Sequence, residues 1–395
     1  MNEIRRPGPP IPITVLTGFL GAGKTTLLNA LLADPALSDT LVMINEFGEI
    51  GLDHLFVDTI DGDMILLASG CLCCSIRGDL VRALEEVCRK IDNGRMRPVG
   101  RVILETTGLA DPAPILQAIM GHPYLALRFR LDGVVTVVDA VNGASTLANH
   151  KDAMRQVAVA DRIVLTKTDL PAARDTAFLR AQIKALNPVA PLREAASGQA
   201  GARALLGAGL FDPSRKIPDV SRWLGDVDAT HVQAHDHAGH IHSGDRAGDG
   251  VSTHAHPQGD GDPHNAPSRH GAIHAVTLVR DTPLDPRGFE IFLELLRAAH
   301  GPKLLRVKGI LGLSDDLDRP VVIHGAQHVF HPLVRLAAWP DADHRSRLVL
   351  IVDGLNDSVV RDLFAAALGE IAPDRPDGAA LRHNPLAPHT GGLLD

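Results

Sequence analysis

Residues 18–25 read GFLGAGKT, and few eight-residue stretches restrict a fold as strongly. A GxxxxGK(S/T) loop needs a strand to deliver the chain and a helix to lead away, because its backbone N–H groups must converge on a polyphosphate at a helix N-terminus. Both flanks are present. IPITVLTG (11–18) is a short β-branched strand, and KTTLLNALLAD (24–34) carries leucines at 27, 28, 31 and 32, a helical stripe. Gly18, Gly21 and Gly23 free the backbone to wrap the phosphates, Lys24 reaches the β and γ phosphates, and Thr25 offers its hydroxyl to Mg²⁺.

The alternation continues downstream. Apolar runs at 40–45, 64–68, 101–105, 133–140 and 162–166 are separated by helical stretches near 78–90 and 175–186. Continuous apolar strands between helices predict a mostly parallel sheet buried on both faces, a Rossmann-like α/β layout. Magnesium also requires an acid at the end of a neighbouring strand. Glu105 in RVILETTG and Asp139 in VVTVVDA both qualify, and the glycine of the following TTG favours Glu105, since it lets the backbone approach a γ-phosphate. Lys24 and Glu105 are therefore the candidate catalytic pair. TKTD (166–169) follows the strand RIVL, where a lysine stem packs on a base and an aspartate accepts two donors from guanine, which adenine cannot supply. The nucleotide expected is GTP, with GDP as product.

Three of the four cysteines in 395 residues stand together in GCLCCS (70–75). Thiolates suit zinc and copper and take cobalt, and a following helix N-terminus favours the thiolate form. Cys71, Cys73 and Cys74 supply three of the four ligands that a tetrahedral zinc site wants, and the vacancy suggests exchange. Buried small hydrophobes, a redox pair and half of a structural site are the competing readings. Cys88 lies on the following helix roughly 20 Å from Cys74, too far to complete the same site. Between the phosphate loop and the cysteines, NEFGEIGLD (45–53) suits a segment that senses γ-phosphate, with Asn45, Glu46 and Glu49 as its polar residues.

Composition excludes several classes. A net charge of −8 and 3% aromatic residues argue against a nucleic-acid partner. No apolar run reaches membrane-spanning length and no h-region follows Arg5 and Arg6, so a cytoplasmic protein without a membrane is expected. Ten of the 20 histidines fall between His231 and His274, in a stretch rich in Gly and Asp with HDH, HIH and HAH spacings. Such a segment cannot bury enough to order itself; it reads as a disordered linker that spans roughly 35 to 40 Å and binds metal through neutral imidazoles. Beyond it, strands outnumber helices and no phosphate loop recurs, which predicts a smaller α+β domain. The expected boundaries are a disordered start at 1–10, a GTPase domain at 11–225, the His-rich linker at 226–271, the second domain at 272–372 and a disordered tail at 373–395. LLRVKGIL in the second domain offers Arg306 and Lys308, facing a client or solvent.

GFLGAGKTTLL, NEFGEIGLD, GCLCCSIRGDL, ETTGLADP, VVDA and TKTDL, in this order and followed by a His-rich linker and LLRVKGIL, resemble the CobW-like P-loop GTPases, which include zinc metallochaperones. The resemblance runs from about residue 11 to 370. It implies a GTPase domain with a small CobW C-terminal domain, phosphate binding by Gly18 to Thr26 (Ala22 and Thr26 included), and guanine reading by Lys167 and Asp169. Thr166 stands where the family usually has Asn. Cys71, Cys73 and Cys74 are implied to carry Zn²⁺ to a client metalloprotein under control of GTP hydrolysis, with cobalt delivery for cobalamin synthesis and His-based metal buffering as alternatives. Homo-oligomerisation is left open.

Overall fold

In a computed structural model the described residues are 9–46, 64–68, 75–173, 176–207 and 273–369. They form two sheets. The strands of the first are β1 Ile11–Gly18, β2 Thr40–Glu46, β3 Met64–Ala68, β4 Arg101–Thr106, β5 Phe129–Asp139, β6 Arg162–Thr166 and β7 Leu192–Glu194, in the order β3-β2-β4-β1-β5-β6-β7. Every pairing in it is parallel. This is the parallel α/β sheet that the apolar runs predict. β1 sits in the middle, with strands 2 to 4 on one side and strands 5 to 7 on the other. The crevice at the carboxyl ends of its neighbours is where ligands bind in such sheets.

Packing dictates the residue at the end of β1. Gly18 has φ of 144°, and a Cβ there would stand 2.3 Å from the carbonyl oxygen of Val137 on β5. Only glycine lets the chain leave the sheet at this point. The helix after the loop, α1 (Lys24–Leu32), buries Leu27, Leu28 and Leu31. Next comes α2 (Ser75–Asp92), which begins directly after Cys74 in the chain and not at Gly78, so the glycine falls in its first turn. The run between β4 and β5, where periodicity predicts no helix, forms α3 (Ala113–Gly121) and α4 (Pro123–Arg128). Likewise α5 (Gly143–Asn149) and α6 (Lys151–Ala158) fill the span before β6, and α7 (Ala177–Leu186) precedes β7.

The second sheet is built from β8 (Ile273–Arg280), β9 (Leu304–Leu313), β10 (Asp316–Ala326), β11 (Val329–Phe330), β12 (Val334–Arg335) and β13 (Ser346–Asp353). It is antiparallel throughout, in the order β11-β10-β9-β13-β8 with β12 on β10. Its central strand β9 is buried at every position. One face packs Val307 and Leu311 against Phe289, Phe292 and Phe364, which lie on the helices Pro286–His300 and Asp357–Ala367. The other face meets the first domain. There Ile273, Leu305, Ala326 and Ile351 join the same apolar cluster as Val157, Ala158 and Ile163.

That contact corrects the expectation for Arg306 and Lys308, which face neither client nor solvent. Both are 1% exposed. The Arg306 Nη2 group donates to both carboxylate oxygens of Asp161 at 2.7 Å, and Lys308 Nζ lies 2.6 Å from Asp161 Oδ1. Asp161, at the turn between α6 and β6, also accepts the Val134 amide. Burial alone would raise its pKa, but the two cations and that amide bring it down to about 2. Breaking a buried pair leaves an uncompensated charge in low dielectric. Asp161→Asn is expected to lower the unfolding free energy by about 3–5 kcal/mol, measured by denaturant unfolding; a loss within a few tenths would show the cluster to be solvated.

Candidate nucleotide site

The phosphate loop spans the end of β1 and the start of α1. Gly23, the residue before α1, is left-handed with φ of 90°, which turns the loop into the helix axis. Lys24 is buried, and its Nζ donates to the carbonyl oxygens of Gly18 at 3.0 Å and Phe19 at 3.3 Å. The ammonium is thus folded against its own loop. Gly21 and Thr26 are exposed, and Ala22 is buried beneath them.

Between the two acids proposed for magnesium, geometry discriminates. Thr25 Oγ1 donates to Glu105 Oε1 at 2.9 Å, which sets a hydroxyl and a buried carboxylate side by side at the mouth of the loop. Hard oxygen donors in that pairing fit Mg²⁺. Asp139 is otherwise engaged: it accepts the Lys167 ammonium at 2.7 Å, the Asn142 side-chain amide at 3.0 Å and the Val141 backbone amide at 2.7 Å. Burial opposes its ionisation, but those bonds overcome the cost and hold its pKa below the ordinary carboxylate value.

TKTD closes the opposite side of the loop. Lys167 has a positive φ of 59° and lays its side chain across the loop, donating to Gly21 O at 2.8 Å as well as to Asp139. Asp169 is exposed in the turn after it. Thr166 does something that the sequence does not reveal. Thr166 is buried, and its hydroxyl donates to Ala22 O at 2.6 Å and so fastens the end of β6 to the phosphate loop. With threonine at this position, the tie to the loop is made by a hydroxyl.

Asn45 and Glu46 end β2, in register with Leu67 and Ala68 of β3. Glu49, Cys71, Cys73 and Cys74 lie outside the described residues, as does the His-rich stretch. Cys88 is a buried core residue of α2, and burial raises its thiol pKa. Among the described residues no group of three His, Cys, Asp or Glu side chains could hold a metal ion. No helix among them is long and apolar enough to cross a membrane.

Two family models match this chain. The CobW/HypB/UreG nucleotide-binding domain covers residues 12–194, and the cobalamin synthesis protein cobW C-terminal domain covers 273–368. The zinc chaperone YjiA of Escherichia coli (strain K12) is 30% identical over 356 residues, spanning 90% of this chain and 98% of that protein. The chain belongs to the CobW family. A zinc chaperone named CobW, from a Sinorhizobium species, is 33% identical over 261 residues, 58% of this chain and 70% of the other. Zinc-regulated GTPase metalloprotein activator 1 of Schizosaccharomyces pombe is 34% identical over 197 residues, 48% of this chain and 47% of the other. In three dimensions, the crystal structure of Zn(II)-bound YjiA GTPase from E. coli superposes with a TM-score of 0.60 at 27% identity, covering 91% of this chain and 99% of that one. The CobW-family architecture, a P-loop NTPase domain followed by an antiparallel C-terminal domain, is thus present in full.

The tie made by Thr166 gives a local prediction. Thr166→Val keeps the shape and removes the donor, so guanine nucleotide affinity should fall by about 2- to 10-fold, the worth of one neutral hydrogen bond, and Thr166→Asn should restore it. Fluorescent-nucleotide titration reads this; unchanged affinity in Thr166→Val would remove Thr166 from the site.

Proposed function

We propose that this CobW-family chain is a GTP-hydrolysing metallochaperone that binds zinc at Cys71, Cys73 and Cys74 and passes it to a client metalloprotein under nucleotide control. The observation that carries the nucleotide half is the Thr25–Glu105 hydrogen bond at the mouth of the phosphate loop. It supports Thr25 and Glu105 as the magnesium residues. Gly18 to Thr26 wrap the phosphates, and Lys24 exchanges its two loop carbonyls for β and γ oxygens. Bound magnesium supplies charge neutralisation at those oxygens. On the other side Lys167 lies along the base, Asp169 accepts from guanine and Thr166 steadies the loop. Glu105 acts in the hydrolysis step, and Asn45, Glu46 and Glu49 respond to the γ-phosphate.

The zinc half is supported by the cluster of three thiols and by relatives named as zinc chaperones. In this reading residues 11–225 form the GTPase domain, 226–271 a His-rich segment that gathers metal for the cysteines, and 272–372 the C-terminal domain.

The test uses the full chain, purified under reducing conditions, with GTP and ATP turnover and bound zinc and cobalt measured for wild type, Lys24→Ala and the triple Cys→Ser variant at 71, 73 and 74. Expected are turnover of GTP well above ATP, its loss in Lys24→Ala, and loss of tightly held zinc in the triple variant with nucleotide binding retained. Equal turnover of ATP, or zinc retained by the triple variant and lost only when 231–270 is deleted, would overturn the proposal.

A further inference from the structure

Helix α6 lies between three things that must agree if nucleotide chemistry is to be felt elsewhere. It packs on β1, which carries the phosphate loop, and on β8 and β9 of the second sheet. Through its side chains it also holds residues 108–111, the segment after Glu105. Gln156 is fully buried, and its Nε2 donates to the carbonyl oxygens of Gly108 at 3.0 Å and Ala110 at 3.1 Å. Arg155 places Nη1 3.1 Å from Asp111 Oδ2 and Nη2 2.9 Å from Asp353 Oδ2. Asp353 ends β13 in the second sheet.

A single guanidinium is therefore shared by two carboxylates, one from each domain. On the far side the same segment touches the phosphate loop: a Cβ at Gly108 would stand 2.6 Å from the backbone nitrogen of Leu20. Residues 108–111 are thus held by the phosphate loop at one end and by α6 at the other. The hold at Asp111 depends on where Asp353 sets the fork. Arginine's planar fork fixes direction as well as distance, which lysine cannot do.

Resting on the reading of Glu105–Gly108 as the γ-phosphate face, we infer that Arg155 and Asp353 are positioning residues for GTP hydrolysis. Through Asp353 the C-terminal domain sets Arg155, and through Arg155 it sets the segment after Glu105.

The arrangement is suited to positioning more than to stability. The Arg155 and Asp111 side chains are 30% and 23% exposed, so that pair is partly screened by water, whereas Asp353 is 9% exposed and relies more on its partners. Each carboxylate keeps another partner if Arg155 is removed. Lys151 Nζ is 3.0 Å from Asp353 Oδ2, and Asp111 Oδ1 accepts the Ala113 amide at 2.9 Å. Loss of the arginine should leave the fold standing and the loop unset.

Steady-state GTP turnover, fluorescent-GDP affinity and thermal melting on the full chain test this for wild type, Arg155→Ala, Arg155→Lys, Asp353→Asn and the double variant Arg155→Ala/Asp353→Asn. Arg347→Ala, which breaks the pairing of Arg347 on the same strand β13 with Asp341, serves as the control for a merely structural effect. The expected result is a fall in kcat of about tenfold or more in Arg155→Ala and Asp353→Asn, as for a loop displaced by a fraction of an ångström. GDP affinity should hold within about twofold, and the double variant should be no slower than Arg155→Ala alone. Arg155→Lys should recover little, and Arg347→Ala should shift melting without slowing turnover. Unchanged kcat in Asp353→Asn, additive losses in the double variant, or losses that track melting temperature across all variants including Arg347→Ala would overturn the inference. A wild type that binds GTP without turning it over would sink the parent reading as well, and is thereby distinguishable from failure of the inference alone.

Discussion

Asp161 is held out of water between Arg306 and Lys308, which belong to a different sheet, and much of the molecule's arrangement follows from that contact. A buried carboxylate is tolerable only while its partners stay, so the C-terminal sheet cannot drift from the turn that ends α6 without exposing or orphaning charge. Fixing that turn fixes α6, and α6 in turn holds the carbonyl oxygens of Gly108 and Ala110. The second domain is therefore mechanically close to the nucleotide site although it contributes no residue to the phosphate loop. Softer contacts sit further out along the same helix, where Arg155 bridges Asp111 and Asp353 at partial exposure. The rigid anchor and the lighter bridge divide the work: one keeps the domains together, the other relays small displacements.

The nucleotide site itself is divided by β1. On the β4 side Thr25 and Glu105 form the oxygen pair suited to magnesium; on the β5 and β6 side Asp139, Thr166 and Lys167 brace the loop and lead to Asp169. The cysteines enter the chain at neither place. They lie between the end of β3 and the start of α2, and β3 is separated from β1 by β2 and β4. With strands spaced by about 4.8 Å, that is roughly 14 Å across the sheet. By this order β1 and β3 are not neighbours in the sheet.

Much of this is legible in the sequence because the relevant signals are local. A strand, a glycine loop and a leucine-striped helix name a phosphate loop, and continuous apolar runs name a parallel sheet. The hidden features involve partners distant in the chain. Arg306 and Lys308 alternate along β9 as charges on a solvated face would; only the arrival of Asp161 from another domain makes the face an interior. Helix α6, KDAMRQVA, is only eight residues long, and two of the side chains that anchor it, Arg155 and Gln156, are polar, so nothing in its sequence marks the contacts that it makes with distant segments. Thr166 reads as the loss of an amide, since the carbonyl it grips belongs to a residue 144 positions earlier. Glu105 and Asp139 look alike as strand-end acids until their neighbours separate them.

In the proposed function, nucleotide state and metal affinity are one equilibrium seen from two ends. By linkage, if GTP changes the affinity for zinc, zinc must change the affinity for GTP by the same factor. Zinc affinity should therefore be measured by competition with a chromophoric chelator, on the full chain, with a non-hydrolysable GTP analogue, with GDP and with no nucleotide. A metallochaperone under nucleotide control should show a difference of about 5-fold or more between the analogue and GDP states, with the same ratio returned when analogue affinity is measured with and without zinc. Identical zinc affinity in all three states would rule such control out.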